Sequence, residues 1–281
     1  MSFFEDRLAE SFDVNDELEE IDIRINKSLN EIIEKYFLKW KLHAQYFSFD
    51  EMKSSLGFGY YEGILFDNSP YFVKIMNVED YLVYSEMILS IINFLNSDDS
   101  VIFDKKISDE IDLISNRLNY GLGLLNYHPQ CISEGKVLVV QNDPAATALV
   151  DIVEKNLADV IIEYNHFSMK GNLNKKRSLL QEIAHGLDGK KDIFKSNNNN
   201  KLYEDFEFLV NNFNVRHRND DKSGKNFNLL YSELNGDQIE NLYDNIYRQA
   251  LLLYLLLDQY QRNDMISNLK ENINLSTNKG V

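Results

Sequence analysis

Seven consecutive residues, Asn214-Val215-Arg216-His217-Arg218-Asn219-Asp220, gather two guanidiniums, an imidazole, two amides and a carboxylate. An imidazole moves protons near neutral pH. A guanidinium offers a planar fork of donors to a phosphate, or to the charge that builds on one. Asparagine orients either group. The cluster fits phosphodiester chemistry, with Arg216, His217, Asn214 and Asn219 as the candidate catalytic residues. A second reading stands beside it. Arg216 and Arg218 can pair with Asp220, Asp221 or nearby helix carboxylates, and His217 can cap the preceding helix.

Other chemistries find little support. The five histidines, His43, His128, His166, His185 and His217, include no pair at i, i+4 and no His-Glu-x-x-His, so no helical metal pair is expected. His166 and His185 fall near helix ends, where an imidazole commonly meets a backbone carbonyl. The sequence lacks Gly-x-Ser-x-Gly and a P-loop. Asp98-Asp99 and Asp220-Asp221 sit in polar loops and read as solvated ends rather than a glycosidase pair. Cys131 is the single cysteine, which excludes an intrachain disulfide and a cysteine zinc site; it reads as a small buried or half-buried residue. No cofactor or metal ion is called for.

The 281 residues carry a net charge of −16. Such a chain repels polyanions at long range, which excludes a DNA-coating role. The acidity is segregated: residues 170–225 hold 12 Lys and Arg against 8 Asp and Glu, leaving 17 and 37 elsewhere. This local excess suits a small phosphate-facing site. The N-terminus has acidic residues where a signal peptide carries positive charge, and residues 250–257 are too short an apolar run to span a bilayer. The expected setting is the cytoplasm, with no membrane.

Helices must position the cluster, since only 3 prolines and 12 glycines punctuate the chain and 44% of it is hydrophobic. Residues 17–47 read as one or two helices, with Ile21, Ile25, Leu29, Ile33 and Trp40 at helical steps. Residues 57–75, aromatic and glycine-rich with a turn at Asp67-Asn68-Ser69-Pro70, fit either a small β-hairpin or an aromatic loop. Asn77 with Asp80 spells a capping box for a helix to about Leu95. Ser108 caps the next, running towards Leu124. Residues 127–141, with the β-branched Val137 to Val140, mark a break. The expected division is an N-terminal helical domain over 1–126, a helical bundle over 127–268 and a frayed tail over 269–281. In the second half Asp143-Pro144 starts a helix whose apolar stripe runs from Ala146 to Tyr164. Helices over 173–187, 201–213 and from Ile239 to Leu257 follow, separated by polar loops at 190–200 and 220–236. Four such helices predict a bundle.

The second half contains Asp143 … Tyr164 … Gly171-Asn172-Leu173-x-x-Lys176-Arg177-x-Leu179-Leu180 … Leu209-Val210-Asn211 … Asn214-Val215-Arg216-His217. On these residues it resembles the C-terminal helical domain of bacterial abortive-infection proteins, within the HEPN-like group. Phe4-x-x-Arg7 and Ile21-Asp22-x-x-Ile25-Asn26 resemble an N-terminal domain of some of these phage-defence proteins. The resemblance implies a HEPN-like four-helix bundle acting as a metal-free ribonuclease. Its Arg and His, four to six residues apart, would lie at a homodimer cleft; His would help the RNA 2′-hydroxyl attack the phosphate and Arg would stabilise the charge that develops. Carried over, Arg216 and His217 would be catalytic, Asn214 and Asn219 supporting, and Arg218, Lys176 and Arg177 RNA-binding. The sequence departs from the pattern: Arg216 and His217 are adjacent, and seven residues separate Arg177 from His185. On one helix that second pair would splay by about 80° and stand roughly 12 Å apart. The alternative is a helical sensor or adaptor that cuts nothing and binds a protein partner or a nucleotide.

Overall fold

A computed structural model describes residues 12–37, 77–99, 101–133 and 135–277. The chain is mainly helical and divides into two compact units, Met1–Asn142 and Asp143–Val281. Among the described residues no helix is long and apolar enough to cross a membrane.

In the first unit, α1 (Val14–Ser28) and α2 (Asn30–Phe37) precede α3 (Val78–Ser97) and α4 (Lys105–Leu124). Asp13 caps α1 by accepting from the backbone N–H of Asn15 and Asp16. The Asn77/Asp80 capping box opens α3 as its sequence predicts. Helix α4 starts one turn before the expected Ser108, because the Asp104 carboxylate takes the Ile107 N–H at 2.9 Å. Leu18, Ile21 and Ile25 of α1 are buried along with Ile114 and Leu118 of α4. Arg117 of α4 clasps Glu17 and Glu20 on α1.

A hairpin, β1 (Tyr127–Ser133) and β2 (Lys136–Gln141), closes this unit. The outer edge of β2 would leave backbone donors bare, the usual liability of an edge strand. Helix α3 supplies the acceptors. Glu86, Ser90 and Asn93 take the N–H groups of Val139, Val137 and Gly135 at 2.8, 3.0 and 2.7 Å. The match is metric: seven helical residues rise about 10.5 Å and four strand residues span about 13 Å. This docking binds the hairpin to the first unit, so the division falls after Asn142 and not at the expected 127. The suggested hairpin at 57–75 lies outside the described residues.

The second unit holds α5 (Pro144–Val150), α6 (Lys155–Tyr164), a 3₁₀ turn (Phe167–Met169), α7 (Leu173–His185), α8 (Lys191–Ser196), α9 (Asn200–Asn212), α10 (Leu229–Ser232) and α11 (Gly236–Thr277). Asp143 caps α5 through the N–H groups of Ala145 and Ala146, with Pro144 in the first turn. The single helix expected over 146–164 is broken at residues 151–154, and both pieces still bury apolar residues, Leu149 and Ile161, in one core. The loop expected at 190–200 contains α8, which forms because Phe194 is fully buried against Tyr203 and Tyr260. The loop at 220–236 likewise contains α10, anchored by buried Tyr231. The tail expected to fray from 269 is helical to Thr277. Leu179, Ile183, Phe206, Val210, Ile246 and Leu253 form the centre of the core.

Helices α7 and α11 touch closely at Gly186. A Cβ there would lie 2.1 Å from the Tyr254 hydroxyl, which donates to the Ile183 carbonyl at 2.8 Å. Gly186→Ala is expected to cost about 1–3 kcal/mol. Most of that loss should vanish in a Tyr254→Phe background, as read by urea unfolding of the two single variants and the double.

Candidate functional site

The segment singled out by residue type begins where α9 ends. Asn214 adopts φ 58°, a left-handed conformation that asparagine tolerates better than most residues. The chain then folds back on itself. The Asn214 N–H donates to Asn219 Oδ1 at 2.6 Å, and the Asn219 N–H donates to Asn214 Oδ1 at 3.0 Å. Both asparagines are buried. Asn219 Nδ2 goes on to the carbonyls of Asn211 and Asn226, and Asn214 Nδ2 to the Tyr231 hydroxyl. Tyr231 in turn meets Tyr243 of α11, hydroxyl to hydroxyl, at 3.0 Å. Two buried amides thus satisfy a loop that lacks regular secondary structure, as buried backbone requires.

Inside this loop Val215 is a fully buried plug in the core of the second unit. Arg177 and Gln181, one turn apart on α7, donate to the carbonyls of Asn214 and Val215. Arg216 follows the plug and turns its guanidinium inward. It donates to Glu207 Oε2 at 2.9 Å and is also paired with Asp188. Burial pulls the Arg216 pKa down, but Glu207 and Asp188 outweigh it and hold the group above the ordinary arginine value. Asp188 also receives His185 Nδ1 at 3.0 Å. The structure therefore joins His185, Asp188, Arg216 and Glu207 in one polar row across the end of α7 and the side of α9.

His217 and Arg218 point the other way and are exposed. Hydrogen bonds from Ser223, with the charge of Arg218 behind them, hold the Asp221 carboxyl below its usual range. Adjacent residues therefore split: Arg216 faces carboxylates and His217 faces solvent. The structure does not bring the two together, and the buried Val215 fixes which way Arg216 turns. His217 does not close α9, which ends on the backbone N–H of Phe213.

Lys176 and Arg177 are also committed. Lys176 is buried, with Nζ 2.8 Å from Glu240 and 2.7 Å from Asp244, over the ring of Tyr164. Tyr164 donates to the same Asp244 at 3.0 Å and stacks on Tyr247. A lysine so enclosed has no free charge for a phosphate. Of the helix-end histidines, His166 turns Nδ1 to Ser168 and His185 turns Nδ1 to Asp188. Cys131, read as buried or half-buried, is exposed.

Among the described residues, two concavities of the second unit bear on the site. An open cleft of about 620 Å³ has apolar walls of Val153, Leu157 and Leu257, with His185 and Lys190 among its polar lining. A smaller one, about 380 Å³, is lined by Phe213, Leu230, Leu234 and Leu242. Among the described residues no group of His, Cys, Asp and Glu is arranged to hold a metal ion. Sequence reasoning missed Asp188 and Glu207. The His185-x-x-Asp188 spacing was a legible pair, but nothing in sequence tied it to Arg216. Comparison with protein-family models, with curated proteins and with solved structures finds no match.

The two sides of the segment should respond differently to truncation. Asn219→Ala strands the buried Asn214 N–H and leaves the partly buried Asn211 and Asn226 carbonyls without this donor, and is expected to cost about 1–3 kcal/mol. His217→Ala should stay within about 0.5 kcal/mol of the parent. Chemical denaturation of the two variants measures the contrast.

Proposed function

We propose that this chain is a helical interaction protein that works by binding a protein partner, not by cutting RNA. The observation that carries this reading is the double ion pair of Arg216 with Glu207 and Asp188. A guanidinium held by two carboxylates has spent its charge and its donor fork, and is a poor stabiliser of a developing phosphorane. Arg177, Lys176, Asn214 and Asn219 are likewise engaged in holding the fold. The resemblance to abortive-infection proteins supplies the biological setting of the proposal, phage defence in the cytoplasm.

The partner face we favour lies beside the Asn214–Asn219 loop. Phe213, Leu230, Leu234 and Leu242 line the smaller cleft, and Phe208, Leu229 and Leu230 are exposed next to these elements. Clustered large apolar side chains at a surface mark contact sites. The net charge of −16 favours a partner that surrounds its own apolar patch with lysine and arginine.

Purified chain incubated with tRNA, rRNA and mRNA, alone and in phage-infected extract, is expected to give no cleavage above a His217→Ala control. RNA cleavage that disappears in His217→Ala would overturn the proposal. In cells, Leu230→Glu is expected to abolish protection against phage with an unchanged melting temperature, while His217→Ala keeps it.

A further inference from the structure

Helix α11 is 42 residues long, Gly236–Thr277, about 63 Å at 1.5 Å per residue. Among its described side chains Tyr260 is the last buried one, and every side chain from 261 to 273 is exposed. On this outlying arm Met265, Ile266 and Leu269 are 57%, 42% and 53% exposed. Asn263, Asp264, Asn268 and Asn272 on the same arm are poor helix formers. The arm extends a packed helix, so nucleation is already met, but its weak formers add little on their own and burial of an apolar face would hold it more firmly.

The same helix, one to three turns earlier, forms a wall of the 620 Å³ cleft through Tyr254, Leu257, Asp258 and Gln261. Met265 and Leu269 stand four and eight residues beyond Gln261. The cleft and the arm therefore lie on one continuous face of α11.

We infer that this face is a self-association surface, in which two copies of the chain cross their α11 helices antiparallel and each lays its arm into the other's cleft. A two-fold contact uses one patch twice, so a single geometry covers both apolar arms and both clefts. Charge selects a second copy over an unrelated helix. When the helices cross near Tyr260–Gln261, Arg262 of one copy stands opposite Asp258 of the other, and the symmetry repeats the pair. Within one copy the two residues already approach to 2.7 Å, so the partner's carboxylate meets a guanidinium already held on the correct face. The inference does not depend on the partner-binding reading above, which uses the other cleft.

Sedimentation equilibrium of the full chain tests it. The parent is expected to be a dimer at micromolar concentrations. Leu269→Glu, at an exposed position, should weaken association by about tenfold or more. Arg262→Asp and Asp258→Arg each place like charges opposite one another and should each weaken self-association. An equimolar mixture of these two variants should recover it, because every new charge then meets its opposite across the interface. Such recovery between two different chains cannot come from the pair within one helix. A monomeric parent overturns the inference, as does a dimer indifferent to Leu269→Glu. A mixture no tighter than the separate variants removes the antiparallel register and with it the proposal, and a parent that stays monomeric while binding a foreign helix would assign the cleft to a different occupant.

Discussion

A guanidinium withdrawn from water must find carboxylates. Here that requirement is met by Asp188, just past α7, and Glu207, on α9, which close on Arg216 from two sides. The pairing is only partly shielded, so its net contribution falls short of the 3–5 kcal/mol at stake in breaking a fully buried pair. Its larger consequence is directional. With Arg216 turned inward and Val215 sunk in the core, the chain between α9 and α10 has one path. The Asn214–Asn219 clasp then closes that path with buried amides. Helix α7 contributes Arg177 and Gln181 as donors to the same stretch.

The same tactic recurs between packed helices and at the edge of the hairpin. Lys176 sits among Glu240, Asp244 and Tyr164, linking α7 to α11 and α6 through charge and ring contacts. In the first unit, Glu86, Ser90 and Asn93 of α3 supply the acceptors that β2 would otherwise lack. Tyr84 donates to the buried carboxylate of Asp22 at 2.6 Å; desolvation first, and then Asp22 itself, push the tyrosine well above its ordinary pKa. In each case a polar group left in the interior is tolerated because its partners are also there. Residue types suited to catalysis are being used as mortar, and a site has to be argued from geometry rather than from composition.

Charge and shape together orient the functional reading. The acidic bulk of the chain disfavours extended nucleic-acid contacts, and within the more basic segment Lys175, Lys176, Lys191, Lys201 and Arg216 are paired with neighbouring carboxylates. The second unit also offers apolar features to solvent: a small cleft beside α10, a larger cleft beside α7, and an arm of α11 continuous with the latter. Clefts walled by leucine, valine and tyrosine suit helical or otherwise apolar protein surfaces.

The sequence by itself determined the helical class and many of the element starts. Heptad-like spacing of Ile246, Ala250 and Leu253, the Asn77/Asp80 box and the Asp143-Pro144 start are local signals whose physics is complete within one or two turns. Phe194 and Tyr231 were passed over because a single aromatic in a polar stretch nucleates a short helix only when a distant core receives it. The hairpin's allegiance was likewise illegible, since it depends on the metric match between α3 and β2. At the candidate site, the sequence showed which charged and polar groups were present. Only the tertiary structure decided their use, because Asp188 and Glu207 lie 28 and 9 residues from Arg216, and no local pattern reports which carboxylate a guanidinium will meet once the helices have packed.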